Sequence, residues 1–104
     1  MLSKTRSALS SHHVRWRVHA QQRMLERGIL RKEVVSVVQK GAIIEEYLND
    51  ESYPSFLIHH YVNGRHLHAV IGFNESDDMV YVITVYEPDA HNFKADYITR
   101  RTKQ

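Results

Sequence analysis

The sequence contains no cysteine, which excludes a disulfide framework, any Cys-ligated zinc or iron–sulfur centre and covalent thiol chemistry, and suits a reducing compartment. No apolar run approaches the roughly 18 to 20 residues a membrane helix needs, and the polar N-terminal stretch lacks the apolar segment of a signal peptide. The expectation is a cytoplasmic protein without a membrane partner. Internal repeats and low-complexity tracts are also missing. What is present is an ordinary globular composition, 42% hydrophobic and 25% charged over 104 residues. That length suits one domain with a small core.

Carboxylates are scarce at the two ends. Residues 1–32 hold eight Lys/Arg against Glu26, and residues 94–104 hold four against Asp96, whereas residues 33–93 set Lys40 and Arg65 against ten carboxylates. If the ends fold near one another they form a basic face that attracts a polyanion, nucleic acid being the commonest. The alternative is two solvated ends.

Residues 1–15 show no sustained period and read as a loose arm preceding a single domain over 16–104. Helices are predicted over Val18–Arg27 and Arg31–Lys40, each followed by a glycine (Gly28, Gly41) where a left-handed C-cap is needed. Strands are predicted over 42–48, 55–62, 65–73 and 79–86. This order reads as α+β, two N-terminal helices packed on a four-stranded antiparallel sheet.

Asn63-Gly64 is the pair that a two-residue type I′ hairpin turn prefers. It sets Val62 opposite Arg65, Tyr61 opposite His66 and His59 opposite His68. If Phe73 and Met79 close the next hairpin, His68 opposes Thr84 and His66 opposes Tyr86. One face then carries Phe56, Ile58, Leu67, Ala69, Ile71, Phe73, Tyr81, Ile83 and Val85 as a core. The other gathers His59, Tyr61, His66, His68, Thr84 and Tyr86.

In the first predicted helix His19, Arg23 and Arg27 recur at i, i+4, i+8 and form a polar stripe, leaving Ala20, Met24 and Leu25 to face inward. A solvated charged face explains such a stripe equally well. The imidazole cluster on the sheet is less easily explained by structure alone. Cleavage of RNA through its 2′-hydroxyl needs a base, an acid for the leaving 5′-oxygen and a cation for the phosphorane, with no metal or other cofactor. His68, His59, Arg23 and Arg65 are the candidates for those functions. Metal ligation by His66-x-His68 with His59 is a second option, but it lacks a longer-spaced fourth ligand. A non-catalytic surface on which Tyr61 and Tyr86 stack bases is a third.

The segments His19-Ala20-x-x-Arg23-Met24-x-x-Arg27-Gly28-Ile29, Glu33-Val34, Gly41, Ile44-Glu45-Glu46-Tyr47, Gly64-Arg65-x-Leu67-His68 and Thr84-Val85-Tyr86 resemble a family of small prokaryotic domains of unknown function. That family looks distantly similar to the RelE and barnase-like ribonuclease toxins. The resemblance implies helices on a curved antiparallel sheet and a toxin-type, metal-independent endoribonuclease. It also implies an RNA substrate and a small antitoxin partner of zinc-finger or helix-turn-helix type. His68, Arg23, His19, Thr84 and Tyr86 are then the expected catalytic set, with Arg27, His59, Arg65 and His66 binding RNA. The alternative is an RNA-binding or partner-binding module without catalysis.

Overall fold

A computed structural model describes residues 2–48 and 52–88. Its helices are α1 (Leu2–Ser10), α2 (Val18–Arg27) and α3 (Arg31–Lys40), and its strands are β1 (Val14–Trp16), β2 (Ala42–Tyr47), β3 (Ser55–Val62), β4 (Arg65–Asn74) and β5 (Met79–Tyr86). The α+β class is as predicted. The sheet, however, has five strands in the order β1-β5-β4-β3-β2 and is mixed, because β1 joins the edge of β5 in parallel. Among the described residues no helix is long and apolar enough to cross a membrane. The basic segment 94–104, and with it any meeting of the two basic ends, lies outside the described residues.

The segment expected as a loose arm carries α1 and β1. Its Ser-rich sequence offers only a few apolar side chains, of which Ala8 and Leu9 are buried along with Thr5. A polar clamp completes the docking. Arg6 donates from Nε to the carbonyl of Val38 at 2.9 Å and from Nη2 to that of Gly41 at 2.8 Å. A guanidinium there meets the orphan carbonyls and negative dipole end of α3. Such a contact leaves no periodicity in sequence.

The two expected glycine caps have different explanations. Gly28 ends α2 in the left-handed region at φ +63°, as predicted. Gly41 is instead extended (φ −78°, ψ 173°). It is glycine because a Cβ would press into the Val37 carbonyl oxygen and sit 2.5 Å from that of His59. Here space, not backbone handedness, excludes a side chain.

The Asn63-Gly64 hairpin has the predicted register, with Val62 paired to Arg65, Tyr61 to His66 and His59 to His68. The next hairpin differs. Asn74, not Phe73, closes on Met79, and a bulge near Ile83 shifts the pairing by one further residue. His68 therefore opposes Tyr86 rather than Thr84, and Thr84 opposes Val70. Val80 and Val82 take the core places expected for Tyr81 and Ile83, while the bulge returns Val85 to the core face. The core joins these valines to Phe56, Ile58, Leu67, Ala69, Ile71 and Phe73, with Ala20, Met24, Val34, Val37 and Val38 from the helices. Leu25, expected inward, is 86% exposed. Ala20 and Met24 carry the packing of α2, and Leu25 lies a further 100° around the helix.

Glu33 and Arg65 fasten helices to hairpin. Glu33, in the first turn of α3, is 5% exposed. Its carboxylate accepts the Leu30 N–H at 2.8 Å, the Asn63 amide at 3.0 Å and Arg65 Nη2 at 3.2 Å. These contacts hold its pKa below the usual carboxylate value, the Leu30 N–H foremost, with Asn63 and Arg65 adding to it against desolvation.

Glu33→Gln should lower stability by about 2 kcal/mol in urea unfolding at neutral pH, since the charged partner of Arg65 is lost. Because the folded-state pKa is depressed, the carboxylate's contribution is full above the ordinary value of 4.5 and is lost as pH falls through the folded value. The wild type should thus lose stability on acidification below that point, and the variant should lose less. Gly41→Ala should cost about 2 kcal/mol or more, because the obstructing atoms are backbone.

Candidate functional site

The sheet face opposite the core brings together most of the predicted imidazole cluster. Alternation along β3 and β4 sends Leu67 and Ala69 into the core, both with no exposed surface, and turns His59, His66 and His68 the other way. His59 Nε2 and His66 Nδ1 are hydrogen-bonded at 2.8 Å, and their rings stack with centroids 5.1 Å apart. Such a bond needs one ring to carry its proton at that nitrogen and the other to present a lone pair. The edge of His59 meets the ring of His68 at 5.4 Å. His68 Nδ1 lies 3.4 Å from the hydroxyl of Tyr86. Tyr61, 56% exposed, meets His66 edge to face at 4.8 Å. Thr84 is half-buried across from Val70 on β4.

Burial sorts these groups by what they can touch. His68 has no exposed surface and His59 is 8% exposed, whereas His66 and Tyr86 are half-buried. Among the described rings of the cluster, His66, Tyr86 and Tyr61 therefore offer edges to an incoming molecule. His68, expected to transfer protons to substrate, sits behind them. Among the described residues, no three His, Asp or Glu side chains converge as a set able to hold a metal ion.

The helix stripe does not meet this face. α2 packs through Ala20 and Met24 on the core side, so the sheet separates its stripe from the imidazoles. His19 and Arg27 are exposed and Arg23 is half-buried. Among the described residues none of them joins the imidazole face by a hydrogen bond or ion pair. Arg65, expected to bind RNA, is already occupied. It donates to the carbonyls of Arg27 at 3.0 Å and Gly28 at 2.8 Å, and to the carboxylates of Glu33 and Glu87.

Sequence reasoning missed a second cluster. Tyr53 and Tyr81 stack with centroids 4.8 Å apart and planes within 9°. Arg17 lies 5.4 Å over the Tyr81 ring and donates to the Tyr53 hydroxyl. Gly72 makes room for the Tyr53 ring, into which a Cβ would run. The only sequence signal was a tyrosine at position 81 in place of a smaller core residue, and it was misread because the hairpin was expected to close at Phe73, whereas closure of Asn74 on Met79 turns Tyr81 to the other face.

Residues 16–87 match the family model described as Domain of unknown function (DUF4258). The chain belongs to this family. No curated protein and no solved structure matches it. The DUF4258 span starts at Trp16 and ends at Glu87, so it holds every predicted site residue and the whole β2–β5 sheet. It leaves α1 outside.

The His59–His66 bond makes one ring's environment depend on the other's. In NMR spectra of the imidazoles, His66→Ala should move the His59 ring resonances and leave those of His19 in place. Unmoved His59 signals would count against a shared proton.

Proposed function

We propose that this DUF4258 chain is a metal-independent endoribonuclease of toxin type, acting in the cytoplasm and restrained by a small antitoxin protein of zinc-finger or helix-turn-helix type. The observation that carries the reading is the His59–His66 hydrogen bond at 2.8 Å on a sheet face shared with His68 and Tyr86. It fixes the tautomers of the pair, and a His66 whose Nδ1 donates to His59 carries its lone pair on Nε2, the form a general base uses. The sequence resemblance to the RelE and barnase-like ribonuclease toxins supports the same reading.

In this reading His66 is the catalytic imidazole, being the one at the rim. It takes the proton of the 2′-hydroxyl as O2′ bonds to phosphorus. The bond to the 5′-oxygen breaks, and that oxygen leaves with a proton from an acid at the same rim, Tyr86 being the candidate. The products are a 2′,3′-cyclic phosphate and a free 5′-hydroxyl. His59 is a positioning residue that sets the tautomer of His66, and His68 holds the Tyr86 hydroxyl from behind. Thr84 lines the same face. His19, Arg23 and Arg27 draw the RNA backbone from the helix side without entering the reaction.

One observation favours a second reading, a module that binds RNA or a partner without cleaving. His68 is wholly enclosed, as structural histidines commonly are. Incubation with total RNA in EDTA separates the two. The enzyme reading expects cleavage that survives EDTA, has a bell-shaped pH dependence and falls about 100-fold or more in His66→Ala. His59→Ala should displace the pH profile while retaining more activity. RNA retained in a gel shift but never cut would replace the enzyme by the binder, and cleavage unchanged in His66→Ala would remove the site.

A further inference from the structure

Arg6 and Arg65 give their N–H groups to main-chain carbonyls, and Arg65 gives them to carboxylates as well. Contacts of that kind occupy the donors of a structural guanidinium and offset its charge. Arg17 is exposed and is held differently. Its Nη2 donates to the Tyr53 hydroxyl, and its guanidinium lies 5.4 Å over the Tyr81 ring. A hydroxyl and a ring face fix the direction of the side chain without bringing an anion to it. Among the described residues Arg17 forms no ion pair, and neither does Arg15.

Both arginines belong to the imidazole side of the sheet. Arg15 pairs with Tyr81 across β1 and β5, and Tyr81 pairs with Gly72 across β5 and β4, so the three positions share one face. Gly72 and His68 are separated by an even number of residues along β4 and so share it too. Arg17 follows Arg15 by two residues and keeps that side, its backbone N–H still bonded to the Val82 carbonyl at 3.1 Å. The support for Arg17 is built into β4. Gly72 leaves the space that the Tyr53 ring fills beside Tyr81, and a glycine inside a strand marks a place where something must approach the backbone closely.

We infer that Arg17 and Arg15 form a phosphate site on the imidazole face, and that it takes a backbone phosphate of an RNA strand flanking the phosphate that is cut. The choice of ligand rests on the cleavage reading, because a strand lying across the His66 rim continues over the same face. Gly72 lies four residues along β4 from His68, about 13 Å away. A single strand spans that distance in a few nucleotides. The site therefore stands clear of the reacting atoms and serves binding alone. The planar fork of a guanidinium matches two phosphate oxygens. Tyr53 and Tyr81 are positioning residues that hold Arg17 before the strand arrives, which lowers the cost of ordering its side chain on binding.

The test uses the full chain and reads binding apart from cleavage. The binding probes are fluorescent 2′-O-methyl uridylates of about four and about eight nucleotides, which lack the attacking hydroxyl and stay intact. The longer probe should bind about tenfold more tightly than the shorter. In the double variant Arg15→Gln with Arg17→Gln that gain should vanish, and the salt slope for the longer probe should flatten by about 0.7 for each lost contact. Tyr53→Phe keeps the ring over Gly72 and removes the hydroxyl, so it should lose part of the gain. Both arginines are exposed, so the Tm of the double variant should match the wild type. With cleavable RNA of the longer length, the double variant should raise KM about tenfold and leave kcat unchanged, as expected for a contact made equally in ground and transition states. A length gain that persists in the double variant, or no gain in the wild type, would overturn the phosphate site, and cleavage continuing in either case would leave the catalytic reading standing. An arginine-dependent gain without any cleavage would keep the site and remove the enzyme. A glutamate-rich peptide that binds more tightly than the longer probe and needs the same arginines would overturn the choice of RNA in favour of a protein partner.

Discussion

Arg65 is the point at which the helices, the turn between them and the central hairpin are joined. Its guanidinium takes up two carbonyls at the end of α2 and carboxylates from α3 and from the residue following β5. A planar fork with five N–H groups is suited to such a junction, and the shorter point charge of lysine is not. Glu33 answers it from the buried side while also closing the first turn of α3. The pair is therefore fully hydrogen-bonded where it is least exposed, the condition under which a buried charge is tolerated. The orientation of α2 follows from this junction, and with it the direction in which the basic stripe and the exposed Leu25 point.

The sheet separates two kinds of chemistry. On the helix side, methyl groups from β3, β4 and β5 pack against Ala20, Met24 and the valines of α3. On the other side, rings meet rings, with imidazoles and phenols at the hairpin end and the Tyr53–Tyr81 stack toward the opposite end. The bulge at Ile83 makes both sets compatible. Without it, the alternation that places Val80 and Val82 in the core would turn Val85 outward and bring Tyr86 inward. One inserted residue keeps Tyr86 beside His68.

Burying imidazoles is costly unless their nitrogens are satisfied, and that cost organises the polar face. His59 and His66 answer one another, and Tyr86 lies against His68. The result is a graded site, enclosed at His68 and open at His66 and Tyr61. An arrangement of this kind suits chemistry at the rim supported from within. It also separates the functional candidates in space, since the His19, Arg23 and Arg27 stripe belongs to α2 and the proton-handling groups to the far side of the sheet.

Local signals in the chain determined much of this. Asn63-Gly64 dictated the hairpin register because few residue pairs accept positive φ at both turn positions, and that register placed His59 beside His68. The Gly28 stop and the valines of α3 were legible for similarly local reasons. Only the tertiary structure decided the rest. The docking of α1 depends on Arg6 reaching carbonyls more than thirty residues away, the parallel pairing of β1 depends on an edge that forms late in the chain, and the bulge at Ile83 depends on which side chains fit the core. The charges of Arg65 and Arg23 were plain in the sequence, but their use was not. Whether a cation faces solvent, substrate or a buried carboxylate depends on what surrounds it in space, and spacing along a chain carries that information only within one helix or one hairpin.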